Sequence, residues 1–275
     1  SEFKLSNSKT TLNSTLEFDF PNGGKLSNIL LNFKELKSSS YELQDIYPNI
    51  FGTILPSSLQ SMGEFVLKGD LLYKSERIKS NIYLENKGGK IYSDLDIYDF
   101  QNIDNASYVG TFKGDNVELS SFITLPFLGK STFQFSIDGK GFTPELLNSS
   151  LEGNIQDLSI NNYNYSDINV LGDVSDKIFN GTLNVVDENL EMDFTGLIDY
   201  SDELIDFDFS TNIIKANIGM LGLTSVENNT LSGNITTKMR GSNIKDLIGD
   251  ISFSDFKYFS GANTYNFDEL LAQSR

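Results

Sequence analysis

The segment Thr132-Phe133-Gln134-Phe135-Ser136-Ile137-Asp138 places an apolar side chain at every second position. Successive side chains of a β-strand point to opposite faces of the sheet, so this segment has one apolar face and one polar face. The same alternation recurs at residues 190–194 (Leu-Glu-Met-Asp-Phe) and 205–209 (Ile-Asp-Phe-Asp-Phe). A long succession of such strands predicts a sheet with one continuous apolar face, which some other group must cover.

Strand-like segments recur along the chain at the spacing typical of meandering β-structure. Short links rich in Gly, Asn and Asp separate them, among them residues 21–24, 86–89, 113–116 and 187–189. Such links suit tight turns and are too short for helical crossovers, which predicts antiparallel pairing. The predicted strands are 14–20, 63–73, 79–85, 90–98, 108–113, 116–123, 131–139, 151–160, 167–173, 179–186, 189–200, 203–212, 230–240 and 249–258.

Helices are expected only as single turns, at residues 56–62, 143–147 and 243–247. The last two lie within a repeated phrase in which a strand ends at Gly, a helical turn follows, and a new strand opens. This repetition favours an elongated, additive architecture. The predicted fold is all-β: an elongated antiparallel curled sheet forming a U-shaped groove with an apolar interior. We expect one continuous section over 1–275, with 1–62 more irregular and containing short helices.

Composition excludes several classes of function. The net charge is −17, and the Lys residues are scattered among Asp and Glu, which argues against nucleic acid as a partner. The chain contains no Cys and no His, so it has no disulfide, no thiolate or His-ligated metal site and no His-dependent catalytic triad. We predict no enzyme activity, no catalytic residue, no metal and no cofactor.

Targeting and membrane signals are not visible in the sequence. No stretch approaches the roughly 20 apolar residues that a membrane-spanning helix needs, and no signal peptide is recognisable. The chain begins at Ser1 without Met, which we interpret as the start of a fragment from a longer protein.

Two further patterns suggest chemistry, and each has a simpler structural explanation. Acidic pairs such as Asp94 with Asp96, or Asp206 with Asp208, resemble a Ca²⁺ site or the two carboxylates of a glycosidase. Alternate acids are also what the solvated face of a strand requires, which is the favoured interpretation. The tyrosines at 163, 165, 258 and 265 suggest an exposed carbohydrate platform, although Tyr is also a common strand residue.

The alternating apolar stripe is the pattern whose functional interpretation is favoured. It predicts either the lining of an open groove or the closed core of a structural or adhesive β-solenoid or sandwich. The groove is preferred because the strands follow one another without signs of a Greek key. A carbohydrate-binding β-protein is the third possibility. The candidate lining residues are Phe133, Phe135, Ile137, Leu183, Val185, Leu190, Met192, Phe194, Ile205, Phe207, Phe209, Ile235, Ile251 and Phe253.

Three segments carry a resemblance to a known family. Residues 231–258, the run Phe65-Val66-Leu67-Lys68-Gly69-Asp70-Leu71, and residues 136–142 are similar to the repeated segments of the TamB family within the AsmA-like proteins. The resemblance covers most of residues 50–258 and consists of the spacing of Gly and apolar residues. The family has no catalytic motif that could be carried over to this chain.

The resemblance implies a non-enzymatic β-groove that conducts phospholipid acyl chains between the inner and outer membranes of Gram-negative envelopes. It implies a periplasmic location, with the full-length protein anchored in the inner membrane through an N-terminal helix missing here. A C-terminal part, also missing, would contact an outer-membrane barrel of the Omp85 type and support outer-membrane protein assembly.

Overall fold

The structure is a computed structural model that describes residues 1–20, 28–42, 62–74, 77–100, 106–121, 125, 127–143, 145–226, 228–242, 246–261 and 263–275. Its backbone contacts divide the chain into two units, Ser1–Leu146 and Leu147–Arg275. The expectation of one continuous section over 1–275 stays a prediction.

The described residues form an all-β fold whose sixteen strands make a single antiparallel sheet. The strand order in the sheet equals the order along the chain, and the sheet is not closed, so β1 and β16 are its edges. The strands are β1 (Glu2–Ser6), β2 (Thr11–Asp19), β3 (Asn28–Ser39), β4 (Glu64–Lys74), β5 (Arg77–Asn86), β6 (Gly89–Tyr98), β7 (Ser107–Glu118), β8 (Leu128–Lys140), β9 (Asn148–Ile160), β10 (Tyr163–Ser175), β11 (Ile178–Val186), β12 (Leu190–Asp199), β13 (Ile205–Asn217), β14 (Asn229–Gly241), β15 (Ile248–Ser260) and β16 (Asn263–Ser274).

Helical structure is minor in the part of the chain that the structure describes. A single 3-10 turn spans Leu119–Ser121, and residues 40–42 are also helical. Within the predicted helical turn at 143–147, the amide of Leu146 donates to the carbonyl of Thr143 (3.0 Å), and residue 144 lies outside the described residues. The predicted helical turns at 56–62 and 243–247 lie mostly outside the described residues. The predicted turn at 21–24 lies entirely outside them.

β-Bulges interrupt the alternation in several strands. The register shifts after Phe33 in β3, after Gly114 in β7 and after Ile213 in β13. At each bulge the next residue on the same face comes three positions later instead of two. A strict two-residue period therefore assigns the residues beyond each bulge to the wrong face.

One such bulge corrects the predicted turn at residues 113–116. The sequence predicts two strands, 108–113 and 116–123, joined by a turn, whereas β7 runs unbroken through this stretch. Asn116 adopts a left-handed conformation (φ 55°) as part of the bulge. The Gly-Asp-Asn signal of a turn is thus equally the signal of a bulge, because both need a residue that tolerates positive φ.

Three strands have no counterpart among the predicted segments: β1, β3 and β16. β1 and β3 lie in residues 1–62, where the sequence predicts irregular structure, and with β2 they make the start of the sheet. β16 consists entirely of exposed residues, so burial does not impose a strict alternation on it.

Candidate functional site

The second unit (residues 147–275) carries an apolar face that runs across its strands in register. In β11 and β12, Leu183 lies opposite Phe194, and Val185 lies opposite Met192. Paired residues in an antiparallel sheet point to the same face, so these side chains are neighbours on one surface. Eleven of the predicted lining residues lie on this face: Leu183, Val185, Leu190, Met192, Phe194, Ile205, Phe207, Phe209, Ile235, Ile251 and Phe253.

Aromatic rings join neighbouring strands on this face. The rings of Phe194 in β12 and Phe209 in β13 lie 4.8 Å apart between centroids. Phe253 in β15 contacts Phe256 at 4.9 Å, and Phe256 in turn lies 6.4 Å from Phe267 in β16. Such ring pairs add stabilisation beyond the area they bury. We refer to this surface as the apolar face of the second unit.

The first unit (residues 1–146) has an apolar face of the same construction. Phe135 in β8 lies opposite Phe112 in β7, and Ile137 lies opposite Gly110. The ring of Phe133 is 5.7 Å from that of Phe112 and 5.6 Å from that of Phe135. The three predicted lining residues of this unit, Phe133, Phe135 and Ile137, therefore share one face.

Glycines lie opposite two of the phenylalanines on these faces. Phe133 lies directly over Gly114, and a Cβ added to Gly114 would come within 2.5 Å of two ring atoms. In the second unit, a Cβ on Gly196 would meet the Cβ of Phe209 at the same distance. Pairing a ring with a glycine across strands smooths the face and fixes the ring position.

Burial of the two apolar faces is partial. Val185 (2% exposed) and Phe194 (5%) are buried. Among the described residues, the side chains with less than 2% of their surface exposed are the small ones of Ala106 and Ser131. Native cores are packed to crystal-like density, so these faces lack the fully enclosed large side chains of such a core. Five of the predicted lining residues are only partly buried phenylalanines: Phe133, Phe135, Phe207, Phe209 and Phe253.

Sequence reasoning missed several members of the apolar faces. Ile168 and Val170 lie opposite Val185 and Leu183, and both are buried. Phe256 is also buried. Strict alternation from Phe253 would place residue 255, and not residue 256, on the apolar face. Asp255 adopts a left-handed conformation (φ 50°) between Phe253 and Phe256 and shifts the alternation. The signal in the sequence for this bulge was Asp255 itself, an Asp at a position where alternation predicts an apolar residue.

The opposite face of the sheet is polar and partly ordered by side-chain hydrogen bonds. In the second unit the amide of Asn154 donates to Asn169 (3.2 Å), Asn169 donates to Asn184 (3.4 Å), and Asn184 donates to Asp193 (2.9 Å). This ladder joins β9 to β12 across four strands. These Asn residues therefore belong to the solvated face of amphipathic strands.

The acidic pairs lie on the polar face, and three of their four carboxylates form ion pairs. Asp206 contacts Arg240 (3.0 Å), Asp208 contacts Lys238 (3.2 Å), and Asp96 forms a bidentate pair with Arg77. No group of three Asp or Glu residues that could hold a metal ion occurs among the described residues. Among the described residues, the carboxyl groups with a shifted pKa are Glu2, Asp187 and Asp199; hydrogen bonds lower the pKa of each, opposite to the shift of a general acid.

The predicted tyrosine platform is largely not exposed. Tyr163, Tyr165 and Tyr258 are partly buried, and only Tyr265 (47% exposed) is an exposed side chain. Burial and the hydrogen bond to Asp187 (2.5 Å) raise the pKa of Tyr163, and burial also raises the pKa of Tyr165. These rings belong to the end of the apolar face of the second unit.

Asp187 organises that end of the second unit. One carboxylate oxygen accepts from the hydroxyl of Tyr163 and from the amide of Asn189 (2.8 Å), and the other accepts from the amide and the hydroxyl of Ser166 (both 3.0 Å). Burial by itself raises the pKa of Asp187, but these donors outweigh it and lower the pKa. The network fixes the turn between β11 and β12 against β10.

Comparisons with protein-family models, with curated proteins and with solved structures found no match to this chain. Within the described residues, no helix is long and apolar enough to span a membrane. The geometry of the two faces is therefore the basis for a functional proposal.

Proposed function

We propose that the sheet is a section of a non-enzymatic groove that holds and conducts lipid acyl chains along its apolar faces. The observation that carries this proposal is the in-register apolar face in each unit, whose Phe side chains are only partly buried. Each additional square ångström of apolar surface taken out of water contributes about 25 cal/mol. When an acyl chain lies along such a face, the contacting surface of the chain and that of the face are both removed from water.

The curl of the sheet into a U-shaped groove belongs to this proposal. A curled sheet would surround acyl chains with the apolar faces and leave the polar face in water. The clean division of side chains between the two faces supports it: in β8, residues 133, 135 and 137 are partly buried, while 134, 136 and 138 are exposed.

The resemblance to TamB-like proteins extends the proposal to a biological setting. Under it, the chain is a periplasmic section of an inner-membrane-anchored protein that moves phospholipid toward the outer membrane. The same proposal includes an Omp85-type barrel as partner and a role in outer-membrane protein assembly. Detection of the full-length protein in the inner-membrane fraction of fractionated cells would test the location.

The second candidate function is a structural module with a closed core. The buried side chains of Val117 (2% exposed), Val185 and Phe194 favour it, because other protein groups cover them almost completely. Under this candidate the same faces are covered entirely by protein, and no lipid has access to them.

Photo-crosslinking discriminates between the two candidates. A photoreactive residue is placed at Phe135, Phe194 or Phe253 in the purified chain, which is then incubated with radiolabelled phospholipid. We expect lipid capture at all three positions, weakest at residue 194 because its side chain is the most buried. The matched controls are the polar-face neighbours Gln134, Asp193 and Ser252, where we expect no capture.

The two sets of positions differ by one residue, so the comparison depends only on which face a side chain occupies. Equal capture at both sets, or capture at neither, would remove the groove and leave the closed module. Native mass spectrometry of the purified chain gives an independent measure, since co-purified phospholipid is expected only for the groove.

A further inference from the structure

A polar pocket of about 220 Å³ lies at the end of the β5–β6 hairpin in the first unit. Three lysines, Lys87, Lys90 and Lys130, line it together with the carboxylates of Glu85 and Asp115. The whole chain carries a net charge of −17, so a pocket with more ammonium than carboxylate groups is contrary to the general charge of the molecule.

Of the two carboxylates of the pocket, one is paired with a cation and the other with a neutral hydroxyl group. Asp115 contacts the ammonium group of Lys90 at 3.3 Å. Glu85 accepts a hydrogen bond from the hydroxyl of Tyr83 (2.5 Å), which raises the pKa of Tyr83 to about 12 and keeps the phenol a donor. Lys87 and Lys130 form no ion pair within the part of the chain that the structure describes.

Hydrogen bonds of the hairpin fix the walls of the pocket. The side chain of Asn86 accepts from the amide of Gly88 (2.8 Å) and donates to the carbonyl of Met62 (3.0 Å). The amide of Glu118 donates to the carbonyl of Gly88 (2.6 Å), which ties the turn to β7. The backbone that carries Lys87 is therefore set before a ligand arrives, and preorganisation of this kind lowers the cost of binding.

We propose that this pocket binds a dianionic phosphate group. A phosphate monoester carries a charge of about −1.5 to −2 at pH 7 and presents three acceptor oxygens, which matches the ammonium groups of Lys87 and Lys130. A carboxylate or a phosphodiester supplies only one negative charge. The volume is below the range of about 300–1,000 Å³ typical of pockets for drug-sized ligands, so it suits a single small group.

The pH dependence of binding follows from the ligand. The second pKa of a phosphate monoester is near 6, and the dianion forms above it. Lysine ammonium groups remain charged well beyond this range. Affinity is therefore expected to rise as the pH increases from 5 to 7.5, and to fall with added salt because the pocket is open to solvent.

The test uses the full chain and inorganic phosphate, followed by the ³¹P line width in NMR at pH 7.5. The double variant K87Q/K130Q removes the two ammonium groups that hold the phosphate. The control K79Q/K257Q removes two exposed lysines elsewhere, each without an ion pair in the described residues. We expect phosphate to bind the parent and control chains and to bind K87Q/K130Q at least tenfold more weakly. Thermal melting confirms that all three chains are folded.

A second arm identifies the source of the phosphate. Short-chain phosphatidate, a phosphate monoester, is added to the phosphate-bound chain, with phosphatidylcholine of the same chain length, a zwitterionic phosphodiester without net charge, as the control. Displacement of phosphate by phosphatidate alone would identify a lipid headgroup, whereas no displacement would identify a soluble phosphate compound. Either result agrees with a phosphate site.

No binding of phosphate to the parent chain, or equal binding to K87Q/K130Q, would overturn the assignment. Inorganic phosphate has no acyl chain, so this outcome does not depend on the proposed lipid groove. Failure of the groove in the crosslinking experiment would in turn leave the phosphate arm unaffected.

Discussion

At the scale of single residues, the carboxylate of Asp187 joins three residues of the second unit through hydrogen bonds. Its carboxylate accepts four hydrogen bonds from three residues, two of them from backbone amides. Asp187→Ala leaves these donors unsatisfied, and we expect it to destabilise the chain by about 2 kcal/mol in urea unfolding. Asp250→Ala, which removes an exposed carboxylate, is the control and should stay within about 0.5 kcal/mol.

The pH dependence of this effect has a definite sign. The folded-state pKa of Asp187 lies below the ordinary value of 3.8, so the carboxylate contributes stability above that pH. The contribution is lost as the pH falls through the lower folded pKa. The difference between the parent chain and Asp187→Ala should therefore be constant from pH 7 to 5 and shrink below 3.8. A difference that grows on acidification would contradict the assigned network.

Gly69 in β4 is a second residue whose identity the backbone dictates. Its φ is +130°, and an added Cβ would lie 2.0 Å from the carbonyl oxygen of Asn81 in the paired strand β5. Gly69→Ala combines an unfavourable conformation with a clash against the backbone, and we expect a loss of at least about 3 kcal/mol of unfolding free energy.

Gly222→Ala is the matched control for this substitution. Gly222 also has a positive φ (72°), but a Cβ added to it would have no atom within 4 Å. Only the conformational penalty of about 1–2 kcal/mol applies there. The unfolding free energies of both variants are measured with urea. Equal losses would show that the clash with β5 at Gly69 does not contribute to the destabilisation.

At the scale of strands, bulges decide which side chains reach the apolar faces. In β15, Asp255 (φ 50°) separates Phe253 from Phe256 and keeps both rings on one face. Asp255→Gly should change stability by less than about 0.5 kcal/mol, because Gly adopts positive φ without strain. Asp255→Val should cost about 1–2 kcal/mol, since a β-branched side chain is strained there. Circular dichroism melts of the two variants give the comparison, and equal stability would argue against the bulge.

The same bulges explain how far the strands could be predicted from the sequence. The pattern at 132–138 predicted β8 and its two faces, because no bulge lies within that segment. Strict alternation failed at β7, where Gly114 and Val117 lie on one face three residues apart. A left-handed Asn can mark a turn or a bulge, and only pairing with β8 decides between them.

The face on which each candidate lining residue lies could be predicted from the sequence alone. The degree to which its side chain is buried could not. Alternation assigned Phe133, Phe194 and Phe253 to one face of their strands, since a strand has only two faces. Burial of Phe194 and partial exposure of Phe253 depend on neighbours in other strands, which no local pattern encodes. The lysine pocket was not predicted either, because its residues come from four strands, β5 to β8, and from the β5–β6 turn.

At the scale of the whole molecule, charge is distributed unequally between the two units. Residues 1–146 contain 14 Lys and Arg against 18 Asp and Glu, a net charge of −4. Residues 147–275 contain 7 against 20, a net charge of −13. Like charges destabilise a folded state through their mutual repulsion. The second unit therefore carries most of the unfavourable charge of the chain.

Salt should stabilise the second unit more than the first for this reason. The screening length falls from about 30 Å at 0.01 M salt to about 8 Å at 0.15 M, which removes most repulsion between exposed charges. Hydrogen-exchange mass spectrometry at both ionic strengths resolves the two units by peptide. We expect slower exchange in β9–β15 at the higher salt and a smaller change in β2–β8. Sodium chloride and potassium chloride should have the same effect, because screening depends on ionic strength. An equal change in exchange in both units would contradict the prediction and mean that net charge does not limit their stability.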